Sequence, residues 1–218
     1  MADADRPFWQ QWHDDYADPN SDLSRRLAVV VVRLRELVDA APAGPIRLLS
    51  LCAGQGHDVI GALADHPRRD DVVGLLVEFD PGNVENAQAG LAAAGITGLS
   101  VREADAGDTS SFADAVPADI VLLCGIFGNV PMDDIERTAL RASSLCASDA
   151  TLMWTRHRKA PDATPAIRQW FVESGFEELS FDAPTDALFS VCVNRLARPP
   201  EPFEPGDHLF TFERTQAP

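Results

Sequence analysis

The chain has 218 residues, 45% hydrophobic and 24% charged, enough for one α/β unit with a sizeable core and unlike a disordered or fibrous chain. Its formal net charge of −16 repels phosphate backbones and anionic lipid, which argues against nucleic acid or a membrane as partner. Four cysteines without a CxxC pair read as free thiols rather than a metal site or disulfide framework, and the acidic start MADADRPFWQ has no apolar targeting core, so the chain is expected in the cytoplasm with no metal.

Residues 1–20 are polar with a cluster of aromatics, Phe8, Trp9, Trp12 and Tyr16, around His13. Exposed aromatics at that density mark a binding surface, so Phe8 to Tyr16 is expected to be a lid, with a hydrophobic plug on the sheet edge as the alternative. Ser21 is a helix cap, and Leu23, Leu27, Val30, Val31, Leu34, Leu37 and Val38 fall on one helical face that stops before Pro42. Residues 1–45 therefore form a lid and helix ahead of the main domain, 46–198, and a proline-rich tail, 199–218, all in one globular unit.

The first strand is the apolar run Leu48 to Leu51, followed by the turn Cys52-Ala53-Gly54-Gln55-Gly56 and a helix from Asp58 to about His66. Glycines at this spacing let the backbone turn sharply and approach a ligand, and a helix N-terminus offers inward-pointing N–H groups. Strands then alternate with helices: Val72–Val77, a helix Asn83 to Ala94, Leu99–Arg102, Ile120–Cys124, a helix Met132 to about Leu145, and Thr151–Thr155. That alternation specifies a parallel sheet with right-handed crossovers. After a helix near 163–174, Phe176–Phe181 and Leu188–Leu196 follow with no helix between them, so they must pair as a hairpin. The expected fold is α/β, a Rossmann-like, doubly wound, seven-stranded sheet, mostly parallel with an antiparallel last strand. His208 to Phe212 is expected to add a short edge segment.

Val59 stands where the dinucleotide fingerprint GxGxxG needs its third glycine, which argues against a nicotinamide oxidoreductase. Leu48 to Gly56, LLSLCAGQG, instead resembles the first motif of the class I S-adenosylmethionine-dependent methyltransferases, usually written LDLGCGTG. Gly54 and Gly56 match two of its glycines; Cys52 stands at the first, and Ser50 replaces an acid. The resemblance, which spans about Leu48 to Leu196, implies S-adenosylmethionine as cofactor and a small-molecule acceptor methylated on oxygen or nitrogen. A non-catalytic nucleoside-binding protein on the same fold is the alternative.

The resemblance also implies roles at matching positions. Cys52, Ala53, Gly54 and Gly56 would wrap the cofactor. Glu78, closing the second strand, would accept the ribose hydroxyls, because a carboxylate offers several lone pairs. Phe79 would lie against the adenine, Asp105 would accept its amino group, and Ala106 would offer a backbone N–H to the ring. Gly125 would admit backbone carbonyls to the methionine ammonium, and Phe127 would line the transfer site. Arg26 and Tyr16 are candidates for the methionine carboxylate. A hydroxyl or ammonium acceptor needs a general base, for which His13 and His157 on the acceptor side are the candidates, beside His57 in the glycine turn. The sequence leaves the acceptor and the oligomeric state open.

Overall fold

A computed structural model describes residues 18–212. Helix α1, Asp22–Ala40, begins where Ser21 Oγ accepts the Ser24 N–H at 3.0 Å. Val30, Leu34 and Val38, four residues apart, are its buried stripe. The remaining elements are β1 Ile46–Leu51, α2 His57–Leu63, β2 Val72–Glu78, α3 Pro81–Ala93, β3 Leu99–Glu103, β4 Ala118–Leu123, α4 Met132–Arg141, β5 Cys146–His157, α5 Thr164–Glu173, β6 Phe176–Asp182 and β7 Phe189–Leu196.

The seven strands lie in the order β3-β2-β1-β4-β5-β7-β6. The first five are parallel, and β7 inserts between β5 and β6, antiparallel to both. This is the expected sheet. The chain reverses between β1 and β4, where one crossover runs to each side, so a crevice opens above the carboxyl ends of those strands. Element limits depart from expectation at several ends, three of them informative. Helix α3 begins at Pro81, a residue suited to a first turn where no N–H is needed. Helix α4 gives way at Ala142 to a 3-10 turn, and β5 starts at Cys146, five residues before its apolar run.

Both faces of the sheet are covered. On one, α1 and α2 pack with Leu48, Leu76 and Met153. The other is aromatic: Trp154 stacks on Phe171 with centroids 5.8 Å apart, and Phe127 packs against both. Helix α1 is tied to the hairpin by the Arg33–Asp182 ion pair and by Asp22 Oδ2, which accepts the Leu188 N–H. Among the described residues no helix is long and apolar enough to cross a membrane, and no group of three His, Cys, Asp or Glu side chains could hold a metal ion.

The tail after β7 returns across the molecule. The expected edge segment does not form a strand: His208 makes one isolated antiparallel bridge to Asp108, outside the sheet, while Leu209 and Phe210 are buried.

Candidate active site

The site is built on the turn after β1. Cys52, Gly54 and Gly56 all take left-handed backbone, with φ of 55°, 56° and 70°. The position where the resembling motif carries its first glycine is thus left-handed here too, although a side chain occupies it. Ala53 N–H donates to the Val77 carbonyl and Gly56 N–H to the Ala53 carbonyl, which closes the turn against β2.

Glu78, 8% exposed, pins this turn. Its Oε2 accepts the Gly54 N–H at 2.7 Å and its Oε1 accepts the Asp80 N–H at 2.9 Å. Each oxygen keeps a lone pair, so the carboxylate can still receive two hydroxyls. The next side chain, Phe79, is 75% exposed, and no packing role accounts for it. Asp105 follows β3 in the neighbouring loop. Its Oδ1 accepts the Gly107 N–H at 2.8 Å, while Oδ2 has no partner among the described residues. Ala106 beside it is buried. The charges of Glu78 and Asp105 both reach the Cys52 thiol, so the turn and the two acids share one end of the sheet.

A second group lies at the same end, toward β4. Gly125 is held on both sides: its N–H donates to Thr155 Oγ1 at 2.9 Å, and its carbonyl accepts Asn129 Nδ2 at 2.7 Å. Arg26 of α1 acts electrostatically on Asp58, in the first turn of α2, and on Cys124, at the end of β4. Asp58 is a candidate site residue, which the sequence marks only as a helix opening. Its available signal is an acid two positions after the last glycine of the turn. Burial raises its pKa, partly offset by the Val59 N–H and by Arg26.

His157 ends β5. Gly128, in the loop after β4, faces it: a Cβ there would sit 3.5 Å from His157 Cδ2. Its Nδ1 is buried without a hydrogen-bond partner. Burial, then the charges of Arg156 and Lys159, lower its pKa, so the ring is neutral at pH 7.

One expectation is corrected. Phe127 does not line this end; it is 0% exposed and belongs to the aromatic core with Trp154 and Phe171. The loop after β4 folds back into the sheet's second face, where a phenyl ring gains more from burial than from a polar mouth. Tyr16, His13 and the rest of the expected lid lie outside the described residues.

The four cysteines are free thiols, Cys146 and Cys192 buried and Cys52 and Cys124 half-buried. Burial raises the pKa of all four, Cys146 to about 12 and Cys124 and Cys192 further still, and the acids Glu78 and Asp105 add to the rise at Cys52. A disulfide reagent at pH 8 should leave them unmodified in the folded protein and titrate four thiols in denaturant. Rapid modification of one thiol in the native state would contradict this placement.

A family model described as "Putative methyltransferase" matches residues 23–162. No curated protein sequence matches the chain. Among solved structures, magnesium protoporphyrin IX methyltransferase from Synechocystis PCC 6803 with bound SAM superposes with a TM-score of 0.67 at 13% identity, over 86% of this chain and 90% of that one. An O-methyltransferase family protein from Burkholderia thailandensis gives 0.60 at 15% identity, over 87% and 63%. An O-methyltransferase family 2 protein from Planctomyces limnophilus DSM 3776, in complex with apigenin, gives 0.55 at 19% identity, over 80% and 62%. At such identities these likenesses speak to the fold.

Proposed function

The chain belongs to the methyltransferase family whose model spans its residues 23–162, and from that membership we propose that it transfers a methyl group from S-adenosylmethionine to an oxygen or nitrogen of a small-molecule acceptor. The observation that carries the cofactor is the Glu78 carboxylate, locked to the glycine turn yet holding spare lone pairs, beside an exposed Phe79 and an Asp105 oxygen without a partner.

These residues fit the cofactor's three parts. Glu78 receives the ribose hydroxyls, Phe79 covers a face of the adenine, and Asp105 Oδ2 takes the adenine amino group. At the other end Asp58 suits the methionine ammonium and Arg26 its carboxylate, an opposite-charge match for each. When bound, S-adenosylmethionine supplies a methyl group already activated by its sulfonium. The chain's task is then chiefly to hold the acceptor in line and keep water out. His157, neutral at pH 7 and with one ring nitrogen unclaimed, is the general base for a hydroxyl or ammonium acceptor.

Thermal shifts with S-adenosylmethionine, its demethylated product S-adenosylhomocysteine and NADH test the cofactor. Stabilisation by the first two alone is expected; stabilisation by NADH alone would reverse the reading. The role of His157 carries a pH signature. Its pKa lies below the 6.5 of a free imidazole, so turnover should hold above that value and fall as pH drops through the lowered pKa. Stability moves in the same direction, because the unfolded chain takes up the proton first as pH falls below 6.5. His157→Gln should lower kcat by about 10²–10⁴-fold and remove that acidic limb. A limb that persists in His157→Gln assigns the base elsewhere.

A further inference from the structure

Five buried polar side-chain atoms among the described residues have no hydrogen-bond partner, and three of them fall within four consecutive positions of one strand: Trp154 Nε1, Arg156 Nε and His157 Nδ1. That stretch is the carboxyl end of β5, the end that faces the site. Buried polar groups in native proteins are almost always satisfied, so such a cluster calls for a partner that the described residues do not supply. The Trp154 ring is enclosed by aromatic side chains, and its neutral N–H is a modest cost. Arg156 is different, because it is charged and half-buried.

Among the described residues no carboxylate forms an ion pair with Arg156. The acid whose charge reaches it, Asp162, turns one oxygen to the start of α5, where its Oδ1 accepts the Thr164 N–H at 2.9 Å. Its basic neighbours add to the local field. Arg156-His157-Arg158-Lys159 contains the chain's one lysine, in a protein of net charge −16. Arg158 is committed to structure, donating to the carbonyls of Pro184, Ala187 and Phe189. Arg156 is not committed: its guanidinium makes no hydrogen bond and no ion pair among the described residues, while its backbone is fixed by pairing with Ser190, whose Oγ donates to the Arg156 carbonyl.

We propose that the acceptor is a carboxylate-bearing small molecule and that Arg156 is its anchor, a reading that rests on the methyltransferase assignment above. A guanidinium presents a planar fork that matches a carboxylate in two parallel hydrogen bonds. One unpaired cation balances one negative charge, which favours a monoanion over a phosphate dianion in so acidic a protein. Arg156 and His157 are consecutive and therefore flank the strand end on opposite sides. A ligand lying across that end meets the anchor with its carboxylate and the base with its reacting hydroxyl or amine.

The test uses the full chain saturated with S-adenosylhomocysteine. The probes are 4-hydroxybenzoate and 3-hydroxybutyrate, the corresponding uncharged amides, and inorganic phosphate. Binding is followed by calorimetry and by the Nε–H resonance of Arg156 in protein labelled with 15N-arginine. At least one acid should bind at least tenfold more tightly than its amide and shift that resonance. Arg156→Gln should abolish the preference and leave the S-adenosylhomocysteine dissociation constant unchanged; Arg156→Lys should keep part of it. Because Gln removes an unpaired cation, that variant should melt no lower than wild type, so lost binding will not be lost folding. Equal binding of acids and amides, an unmoved resonance, or an intact preference in Arg156→Gln would overturn the proposal. Tighter binding of phosphate than of either acid would overturn the carboxylate assignment. Failure of the wild type to bind S-adenosylhomocysteine would instead remove the methyltransferase reading beneath it.

Discussion

Glu78→Ala is expected to weaken S-adenosylhomocysteine binding by about thirtyfold or more, roughly 2 kcal/mol, because it removes the charged acceptor proposed for the ribose and unpins the glycine turn. Two effects combine. The Gly54 and Asp80 N–H groups lose their acceptors at 2.7 and 2.9 Å, and a buried donor left unsatisfied costs about 1–3 kcal/mol. The variant should therefore also melt below wild type. Glu78→Gln separates the contributions. Its amide keeps one acceptor oxygen for one of the two N–H groups, but its NH2 must face the other, donor against donor. Gln should lie between Ala and wild type in both affinity and melting temperature. Calorimetric titration of the three proteins decides it: equal dissociation constants would place the ribose elsewhere.

That Glu78 could be found in the sequence at all follows from register. β1 and β2 are parallel neighbours, so an acid closing the second hydrophobic run must arrive beside the turn that closes the first. The same logic located Asp105 after β3 and Gly125 after β4. Both loops leave the same edge, because every strand up to β5 points the same way. Phe127 shows where this logic stops. Two residues past Gly125, its placement depends on which way an irregular loop turns, and that is settled by the cavity Trp154 and Phe171 leave for it. Asp58 and Arg156 were illegible for a related reason. What sets them apart is burial and the lack or nature of a partner, and partners come from elements distant in sequence: Arg26 for Asp58 and, among the described residues, no paired carboxylate for Arg156. The tail was legible as proline-rich, yet nothing local in His208 to Phe212 announces that it packs on the Asp105 loop.

That packing yields the second large effect. Gly107→Ala is expected to lower stability by about 3 kcal/mol and weaken cofactor binding together. A Cβ on Gly107 would lie 2.2 Å from the Phe210 carbonyl oxygen, a backbone atom that cannot rotate away, so either the tail or the loop must move. Neither moves freely. The tail is stapled to α4: Thr138 Oγ1 donates to the Leu209 carbonyl at 3.0 Å, Asp134 Oδ2 accepts the Thr211 N–H at 2.7 Å, Arg137 donates to the His208 and Leu209 carbonyls, and Arg141 pairs with Asp207. The loop is stapled to the tail in turn, since Leu209 N–H donates to the Gly107 carbonyl at 2.8 Å and Thr109 N–H to the Asp207 carbonyl at 2.9 Å. Displacing Gly107 also strains its N–H bond to Asp105 Oδ1, the contact that aims the acid proposed for the adenine. For a chain of this size about 3 kcal/mol corresponds to a fall of roughly 6–12 °C in melting temperature. Leu209→Ala is the companion variant. It empties a buried site and should destabilise by about 2–4 kcal/mol, while leaving the backbone contacts of Gly107 in place. At matched stability, reached by choice of temperature, Gly107→Ala should bind S-adenosylhomocysteine more weakly than Leu209→Ala. If the two bind alike, or if Gly107→Ala melts with wild type, the tail only covers the core and does not hold the loop that carries Asp105.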